Sequence, residues 1–136
     1  MSALPKACIF CRPQREILCQ NTHAIAVFDT YPVSPGHSLI LPKRHVETVW
    51  DLSDEEYLAC YALVRELRPV LEARFRPDGF NVGVNCGEAA GQSVWHAHIH
   101  VIPRFRDQPG KDAIGLPWRA VPSNPEEIER IGKRLC

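Results

Sequence analysis

Apolar and β-branched residues are concentrated in two short segments near the start of the chain. These segments, residues 15–20 and 22–29, flank Asn21, and the pattern predicts two β-strands joined by a tight turn. Residues 31–36 hold two prolines and a glycine and cannot continue a strand ladder, whereas residues 37–41 resume the strand pattern. We therefore expect a β-hairpin followed, after a turn, by a third strand.

A longer helical pattern comes next. Apolar and aromatic residues recur at helical spacing over residues 57–75, and Ser53 followed by Glu56 is typical of a capping box. Pro69 lies inside this pattern and removes one backbone hydrogen bond, which predicts a kink or two helical pieces. The segment is predicted to form the one long helix of the chain.

The second half of the chain is predicted to add two strands. Residues 79–85 and 94–103 have strand patterns and are separated by a glycine-bearing loop, residues 86–91. A polar stretch rich in proline and glycine follows, and residues 124–127 have the cap, proline and acids of a helix start. Because strands outnumber helices and connections are short, we predict an α+β fold: a mainly antiparallel sheet with one long helix and a short C-terminal helix.

Length and charge narrow the class of protein. The 136 residues fit one domain, residues 1–136, and the 16 basic residues balance the 16 acidic ones. This balance argues against nucleic acid or an anionic membrane as the main partner. We find no signal-peptide pattern and no apolar run near the ~20 residues of a membrane span, which favours a cytoplasmic protein with its six cysteines reduced.

Three of the six histidines alternate with apolar residues in one predicted strand. His96, His98 and His100 are spaced two apart, so in a strand they would share one face. One interpretation is three half-exposed polar residues, and another is a metal site made by these histidines alone. The interpretation we favour is nucleophilic catalysis, in which one imidazole attacks phosphorus and its neighbours orient it and manage protons.

The sequence here resembles the histidine triad (HIT) family, whose motif matches residues 91–100: Gly91-Gln92-Ser93-Val94-Trp95-His96-Ala97-His98-Ile99-His100. The similarity extends upstream through Asp29, residues 35–37 and residues 41–45. It covers about residues 8–105 and leaves residues 106–136 as a C-terminal extension. The resemblance implies a nucleotide hydrolase or transferase.

The resemblance also implies roles for the histidines. His98 would be the nucleophile and form a covalent nucleotidyl-histidine intermediate, while His100 would contact the phosphate and His37 would support it. Transferase branches of the superfamily tend to carry glutamine at the position of His100, so the histidine favours hydrolysis. The implied substrates are nucleoside phosphoramidates or dinucleoside polyphosphates of the adenosine type.

Other residues are candidates for substrate binding. Gln92 and Ser93 precede the predicted strand and can offer donors to phosphate oxygens, although they are equally typical of ordinary loop polarity. By resemblance, Asp29 would hold the ribose hydroxyls and Asn85 would line the nucleotide pocket; Asp29 could equally be a turn residue before a proline. The resemblance places an apolar wall around the base, formed by Ile9, Phe10 and Phe28.

Cys8 and Cys11 have the spacing of a pair of thiolate ligands. They could equally be a redox pair or two unrelated thiols. A zinc-bearing branch of the HIT superfamily resembles this sequence and implies a structural zinc held by Cys8, Cys11, His45 and His96. Chelation would then destabilise the fold before it removed the chemistry.

The resemblance further implies a homodimer whose sheets join edge to edge. Competing hypotheses for the function are a nucleotide-binding regulatory module, a nucleotidyltransferase, and a metalloenzyme that uses the histidines as a catalytic metal site. Turnover separates the module from an enzyme, and loss of activity on chelation with the fold intact would indicate the metalloenzyme.

Overall fold

A computed structural model describes residues 8–11, 16–107, 125–126 and 129–130 of the chain. Within these residues, one antiparallel sheet is covered on one face by one long helix, α1, at Asp54–Phe75. The strand order across the sheet is β1-β2-β3-β5-β4. The strands are β1 Ile17–Gln20, β2 Ala24–Phe28, β3 Ser38–Pro42, β4 Gly79–Gly83 and β5 Ile99–Arg104. The predicted α+β fold is confirmed.

The hairpin between β1 and β2 turns where the sequence predicts. The Oδ1 atom of Asn21 accepts hydrogen bonds from the backbone N–H groups of His23 and Ala24, at 3.1 and 2.9 Å. Its Nδ2 atom donates to the carbonyl of Ala59 on α1, at 2.8 Å. A single asparagine therefore closes the turn and fastens it to the helix.

The helix α1 begins with the predicted capping box. The Ser53 hydroxyl accepts the Glu56 N–H, and the Glu56 carboxylate accepts the Ser53 N–H at 2.9 Å. The helix runs as one element through Pro69 and ends at Arg76, which adopts a left-handed conformation with φ 50°. The alternative of two separate helical pieces is therefore wrong.

Apolar residues pack on both faces of the sheet. On one face, α1 contributes Cys60, Leu63, Leu67 and Leu71 to a core that also contains Ala24, Ala26, Ile40, Ile99 and Val101. On the other face, Phe10 packs with Val27, Leu39 and Leu41. The alternation along β2 and β3 follows the period of two that strands impose, and burying both faces stabilises the sheet.

The last strand differs from its prediction. It begins at Ile99, whereas the sequence predicts a strand from residue 94. The Ala97 N–H donates to the carbonyl of Val46, at 2.8 Å, so this part of the chain binds a loop instead of a neighbouring strand. His96 and His98 consequently precede β5, so the expectation that all three histidines lie in one strand is wrong. Their rings still share one side of the sheet: Phe10, on the face opposite α1, contacts His96 and His98, and His98 contacts His100.

The C-terminal prediction is tested only in part. Residues 125–126 and 129–130 are helical and exposed, which agrees with the predicted short helix. The polar segment at 108–124 lies outside the described residues. Among the described helices, none combines the length and the apolar character needed to cross a membrane.

Candidate active site

Five of the six histidines gather in two adjacent groups along the neighbouring strands β3 and β5. We call His37, His98 and His100 the catalytic histidine group, because the sequence predicts catalysis for them. We call the other set the thiol–imidazole cluster; its members are Cys8, Cys11, His45 and His96. His23 lies apart, with its ring 3.8 Å from the exposed Glu55 carboxylate.

His98 is buried and held in one orientation. Its Nδ1 atom lies 2.8 Å from the carbonyl oxygen of His96. Because a carbonyl only accepts, Nδ1 carries the ring proton and Nε2 keeps a free lone pair. The rings of Phe10 and His100 approach it in edge-on geometry, with centroids at 5.1 and 5.0 Å. Nε2 is therefore the ring nitrogen of His98 whose lone pair is available to react.

His37 and His100 form a directional pair. The Val33 N–H donates to Nδ1 of His37 at 3.1 Å, so the neutral ring of His37 carries its proton on Nε2. That nitrogen lies 2.9 Å from Nδ1 of His100, to which it donates. The proton of a neutral His100 must then be on Nε2, where it remains available as a hydrogen-bond donor.

Asp29 stands at the end of β2 beside this pair. One carboxylate oxygen accepts the Tyr31 N–H at 2.9 Å, and the other lies 3.5 Å from Nε2 of His37. The first contact confirms that Asp29 shapes the turn. The second brings a negative charge to the catalytic histidine group, and the ribose contact stays a prediction.

Burial keeps the catalytic histidine group neutral. It lowers the pKa of His100 from 6.5 to about 4, an effect strengthened by the nearby rings of His98 and His37. Burial also lowers the pKa of His37, against the opposing charge of Asp29, and lowers the pKa of His98. Neutral imidazoles can act as nucleophiles and hydrogen-bond donors near pH 7.

Asp29, His37 and His100 also lie close enough together to resemble a metal site. The hydrogen bonds argue against a metal there. Since the Val33 N–H occupies the Nδ1 lone pair of His37, Nε2 must carry the proton, and a metal on Nε2 would have to displace it. This group therefore suits proton handling better than metal binding.

The thiol–imidazole cluster, in contrast, has the ligand set of a metal site. Its four ligand atoms all lie within 4.8 Å of one another. Nδ1 of His96 is 3.1 Å from Nδ1 of His45, 3.4 Å from Sγ of Cys11 and 3.5 Å from Sγ of Cys8. Sγ of Cys11 is 3.1 Å from Nδ1 of His45. Four soft or borderline donors aimed at one point could hold a metal ion.

The fold explains why these ligands meet. His45 follows β3 and His96 precedes β5, and these two strands are neighbours in the sheet. Nε2 of His96 donates to the carbonyl of Pro42 at 2.9 Å, so its Nδ1 lone pair is directed into the cluster. A backbone acceptor behind a ligating imidazole is the usual way in which proteins orient it.

Gln92 braces its own loop. Its amide donates to the carbonyls of Glu47 and Val94, at 2.6 and 3.0 Å, and accepts the Gly87 N–H at 2.9 Å. The backbone N–H of Gln92 also donates to the carbonyl oxygen of Gly87. These contacts correct the expectation that Gln92 donates to a phosphate, because its donors are already used.

Ser93 and Asn85 remain candidates for the phosphate and nucleotide contacts. Ser93 is exposed, and Asn85 is half-buried with no side-chain hydrogen bond to the described residues. Ser93 also lines a cleft of about 420 Å³ together with Ile9 and Trp95. Ile9 is 54% exposed and does not belong to the buried cluster of Phe10.

Phe28 lies on the wrong face of the sheet for the predicted wall. It packs beside α1, edge-on to Phe75 with ring centroids 5.9 Å apart. Phe10 lies on the opposite face, where Val27 packs against it. Val27 was not among the residues predicted for the wall, although the period-two alternation of β2, which places adjacent residues on opposite faces, identifies it.

Comparison with known proteins agrees with this geometry. The family described as "HIT domain" matches residues 13–107. Over 134 residues, the chain is 33% identical to adenosine 5'-monophosphoramidase hnt1 of Schizosaccharomyces pombe, covering 95% of this chain and 96% of that protein. Over 125 residues, it is 35% identical to bis(5'-adenosyl)-triphosphatase of Dictyostelium discoideum, covering 90% and 84%.

Solved structures are similar as well. A crystal structure of a HIT family protein from Bacillus anthracis matches with a TM-score of 0.73 at 30% identity, and the match covers 96% of this chain and 95% of that one. The match therefore extends over nearly the whole length of both chains.

Proposed function

The chain belongs to the HIT family, and we propose that it hydrolyses adenosine-type nucleotides at the α-phosphate through a covalent intermediate on His98. The observation that carries this proposal is the ring of His98, whose Nδ1–H donates to the His96 carbonyl and leaves Nε2 free. The similar proteins named as a monophosphoramidase and a triphosphatase support the class of reaction.

In the first step, the Nε2 lone pair of His98 attacks the α-phosphorus. A phosphorus–nitrogen bond forms, the bond to the leaving group breaks, and the leaving group takes up a proton from solvent. The ring becomes positively charged, and the Nδ1–H bond to the His96 carbonyl stabilises that charge. Water then attacks phosphorus, gives up a proton to solvent and breaks the phosphorus–nitrogen bond, which releases the nucleoside monophosphate and restores neutral His98.

His100 and His37 assist without forming bonds to phosphorus. Nε2–H of His100 is the donor directed away from the His37 contact, and it would stabilise charge on a phosphate oxygen. Ser93 would add a hydroxyl donor. The Asp29 carboxylate, 3.5 Å from Nε2 of His37, would stabilise a proton that reaches this pair.

The thiol–imidazole cluster fits structural zinc. Tetrahedral zinc with bonds of about 2.0 Å to nitrogen and about 2.3 Å to sulfur separates its ligand atoms by about 3.3 to 3.8 Å. The nitrogen and sulfur atoms of Cys11, His45 and His96 are 3.1 to 3.4 Å apart. When bound, zinc would cross-link the N-terminal segment to the sheet and supply no reacting group, because four protein ligands complete its coordination.

Zinc binding would separate the roles of neighbouring histidines. His96 would use Nδ1 for the metal and Nε2 for the Pro42 carbonyl, so no nitrogen would remain for moving protons. Its backbone carbonyl, in contrast, accepts the proton of His98. His96 would therefore orient the nucleophile through its backbone.

We also propose the homodimer that the family resemblance implies. The strand β4 lies at one edge of the sheet, and Val82 on it is 45% exposed. An unpaired edge with exposed apolar residues favours association with a second copy. Light scattering of the wild type should give twice the chain mass, and Val82→Lys should shift the protein toward the monomer; a wild type of single-chain mass would contradict the dimer.

The test of the activity is AMP release from adenosine phosphoramidate and from diadenosine tetraphosphate. The wild type should release AMP from at least one of them, and a folded His98→Ala variant should lose at least about 10³-fold in rate. The control is His23→Ala, since His23 lies outside both groups. No release by the wild type would favour a nucleotide-binding module, and unchanged activity in His98→Ala would exclude His98 as the nucleophile.

A further inference from the structure

Phe10 links the thiol–imidazole cluster to the nucleophile. In the sequence it stands between Cys8 and Cys11, and in space its ring touches both His96 and His98. The ring centroids are 6.1 Å from His96 and 5.1 Å from His98, with interplanar angles of 78° and 76°. One side chain therefore contacts a residue of each group.

Phe10 is itself firmly held. It is buried against Val27, Leu39 and Leu41 on the face of the sheet opposite α1. The Sγ atoms of the two flanking cysteines lie 3.5 and 3.4 Å from Nδ1 of His96. Because the backbone on both sides of Phe10 leads to a cluster residue, the position of the ring depends on that cluster.

His98 needs such a support. Its hydrogen bond to the His96 carbonyl fixes one ring atom, but a planar ring held at one atom can still tilt. The edge-on contacts with Phe10 and His100 restrain this tilt. The direction of the Nε2 lone pair decides whether an in-line attack on phosphorus is possible, and small misplacements cost large factors in rate.

We propose that Phe10 is a positioning residue that holds the His98 ring in its attacking orientation and makes this orientation depend on the thiol–imidazole cluster. The role in catalysis rests on the proposed function. It differs from the base-wall role that the family resemblance implies, because a wall residue changes substrate affinity whereas a positioning residue changes the rate of the chemical step.

The experiment compares Phe10→Leu with Phe28→Leu in the full-length, metal-loaded protein. Both replacements remove an aromatic ring next to the sheet, but Phe28 lies on the helix side of it. We expect Phe10→Leu to lower kcat by about 10- to 100-fold with KM changed less than about twofold, and Phe28→Leu to leave kcat within about twofold. A raised KM with unchanged kcat in Phe10→Leu would overturn the proposal.

A second readout does not require turnover. Long-range ¹H–¹⁵N NMR spectra report which imidazole nitrogen carries the proton, and the signals of His98 are identified by their absence in His98→Ala. In the wild type we expect one Nδ1–H form, and in Phe10→Leu we expect averaged or doubled His98 signals at unchanged zinc content. Identical His98 signals in both proteins would overturn the proposal even if neither protein hydrolyses a nucleotide.

Failure of the proposed function is recognised separately, by a wild type without turnover or an active His98→Ala. If Phe10→Leu does not fold, Phe10→Met provides the same test, because methionine keeps much of the apolar volume but lacks the ring. Its His98 spectrum then decides in the same way: averaged signals support the positioning role and wild-type signals exclude it.

Discussion

Nε2 of His37 lies 2.9 Å from Nδ1 of His100, and the opposite nitrogen of His37 accepts the backbone N–H of Val33. A single backbone donor thus sets the direction of the whole pair: His37 donates to His100, and His100 keeps its proton on Nε2. His37 is buried and His100 is half-buried, and both rings are neutral at pH 7, since burial lowers the pKa of His100 to about 4 and also lowers the pKa of His37.

This depression of the histidine pKa values predicts how stability depends on pH. An unfolded chain takes up protons on its histidines near pH 6.5, while folded His100 does so only near pH 4. The stability from neutral His100 is therefore fully present above about pH 6.5 and is lost as the pH falls to about 4. Denaturant unfolding at several pH values should show this decline in the free energy of unfolding.

Acid would also release a bound metal, but it would do so from the wild type and from His100→Gln alike. Comparing the two proteins therefore isolates the contribution of His100 to the pH dependence of stability. His100→Gln removes the group that takes up this proton on unfolding. The free energy of unfolding should therefore fall less steeply with pH in the variant, by up to about 1.4 kcal/mol per pH unit between pH 6.5 and 4. Equal slopes in the two proteins would show that His100 titrates normally in the folded state.

Glu56 connects the start of α1 to the loop that carries His45. Its carboxylate accepts from Nη2 of Arg44 at 2.7 Å and from Nε at 3.0 Å, and these bonds hold the pKa of the buried Glu56 at about 2. Glu56→Ala should lower the free energy of unfolding by about 2–3 kcal/mol at pH 7, as measured by denaturant unfolding. The loss should shrink as the pH falls from 4.5 toward 2, where the wild-type carboxylate also becomes protonated.

Glu72→Ala is the matched control for Glu56→Ala. Glu72 pairs with Arg68 at 3.1 Å on the exposed face of α1, where solvent screens the charges. We expect a cost below about 0.5 kcal/mol. Similar losses of unfolding free energy in the two variants would mean that the Arg44 contact stabilises the protein no more than an exposed ion pair does.

Gly36 precedes His37 in a conformation that disfavours other residues. Its φ is +84°, and an added Cβ would lie 2.9 Å from Cδ2 of Phe75 and 3.0 Å from Cγ of Pro103. Gly36→Ala should therefore destabilise the protein by about 1–3 kcal/mol in thermal unfolding. For Gly79→Ala, a Cβ meets nothing within 4 Å, so the stability should stay the same or rise by up to about 1 kcal/mol. A neutral Gly36→Ala would contradict the packing described.

Removal of metal should act on stability first. Structural zinc contributes on the order of 10 kcal/mol to the folding of small metal-dependent modules, and a smaller share is expected here because the core under α1 does not contain the cluster. Chelator, or the variants Cys11→Ser and His45→Ala, should lower the melting temperature. Cys86→Ser serves as the control, because Cys86 lies outside the thiol–imidazole cluster. A zinc-loaded protein whose melting temperature does not change when chelator removes the metal would exclude a structural role.

Local patterns were enough to predict most of the secondary structure. Strand alternation and the capping box at Ser53 depend on residues close in the sequence, and both predictions are confirmed. The start of β5 could not be predicted in the same way. The Ala97 N–H binds the Val46 carbonyl, a partner about fifty positions away that no local pattern indicates.

The sequence by itself determined the chemical inventory: three histidines spaced two apart, a cysteine pair, and a further histidine on each side of β3. These are features of composition and spacing, which the sequence shows without any coordinates. Only the tertiary structure decided which nitrogen of each imidazole donates a hydrogen bond and which keeps a lone pair. The carbonyls of His96 and Pro42 and the N–H of Val33 select which ring nitrogen carries the proton, because a histidine tautomer follows its hydrogen-bond partner. Those partners are backbone groups, which every residue type supplies, so only the packing of the chain could reveal them.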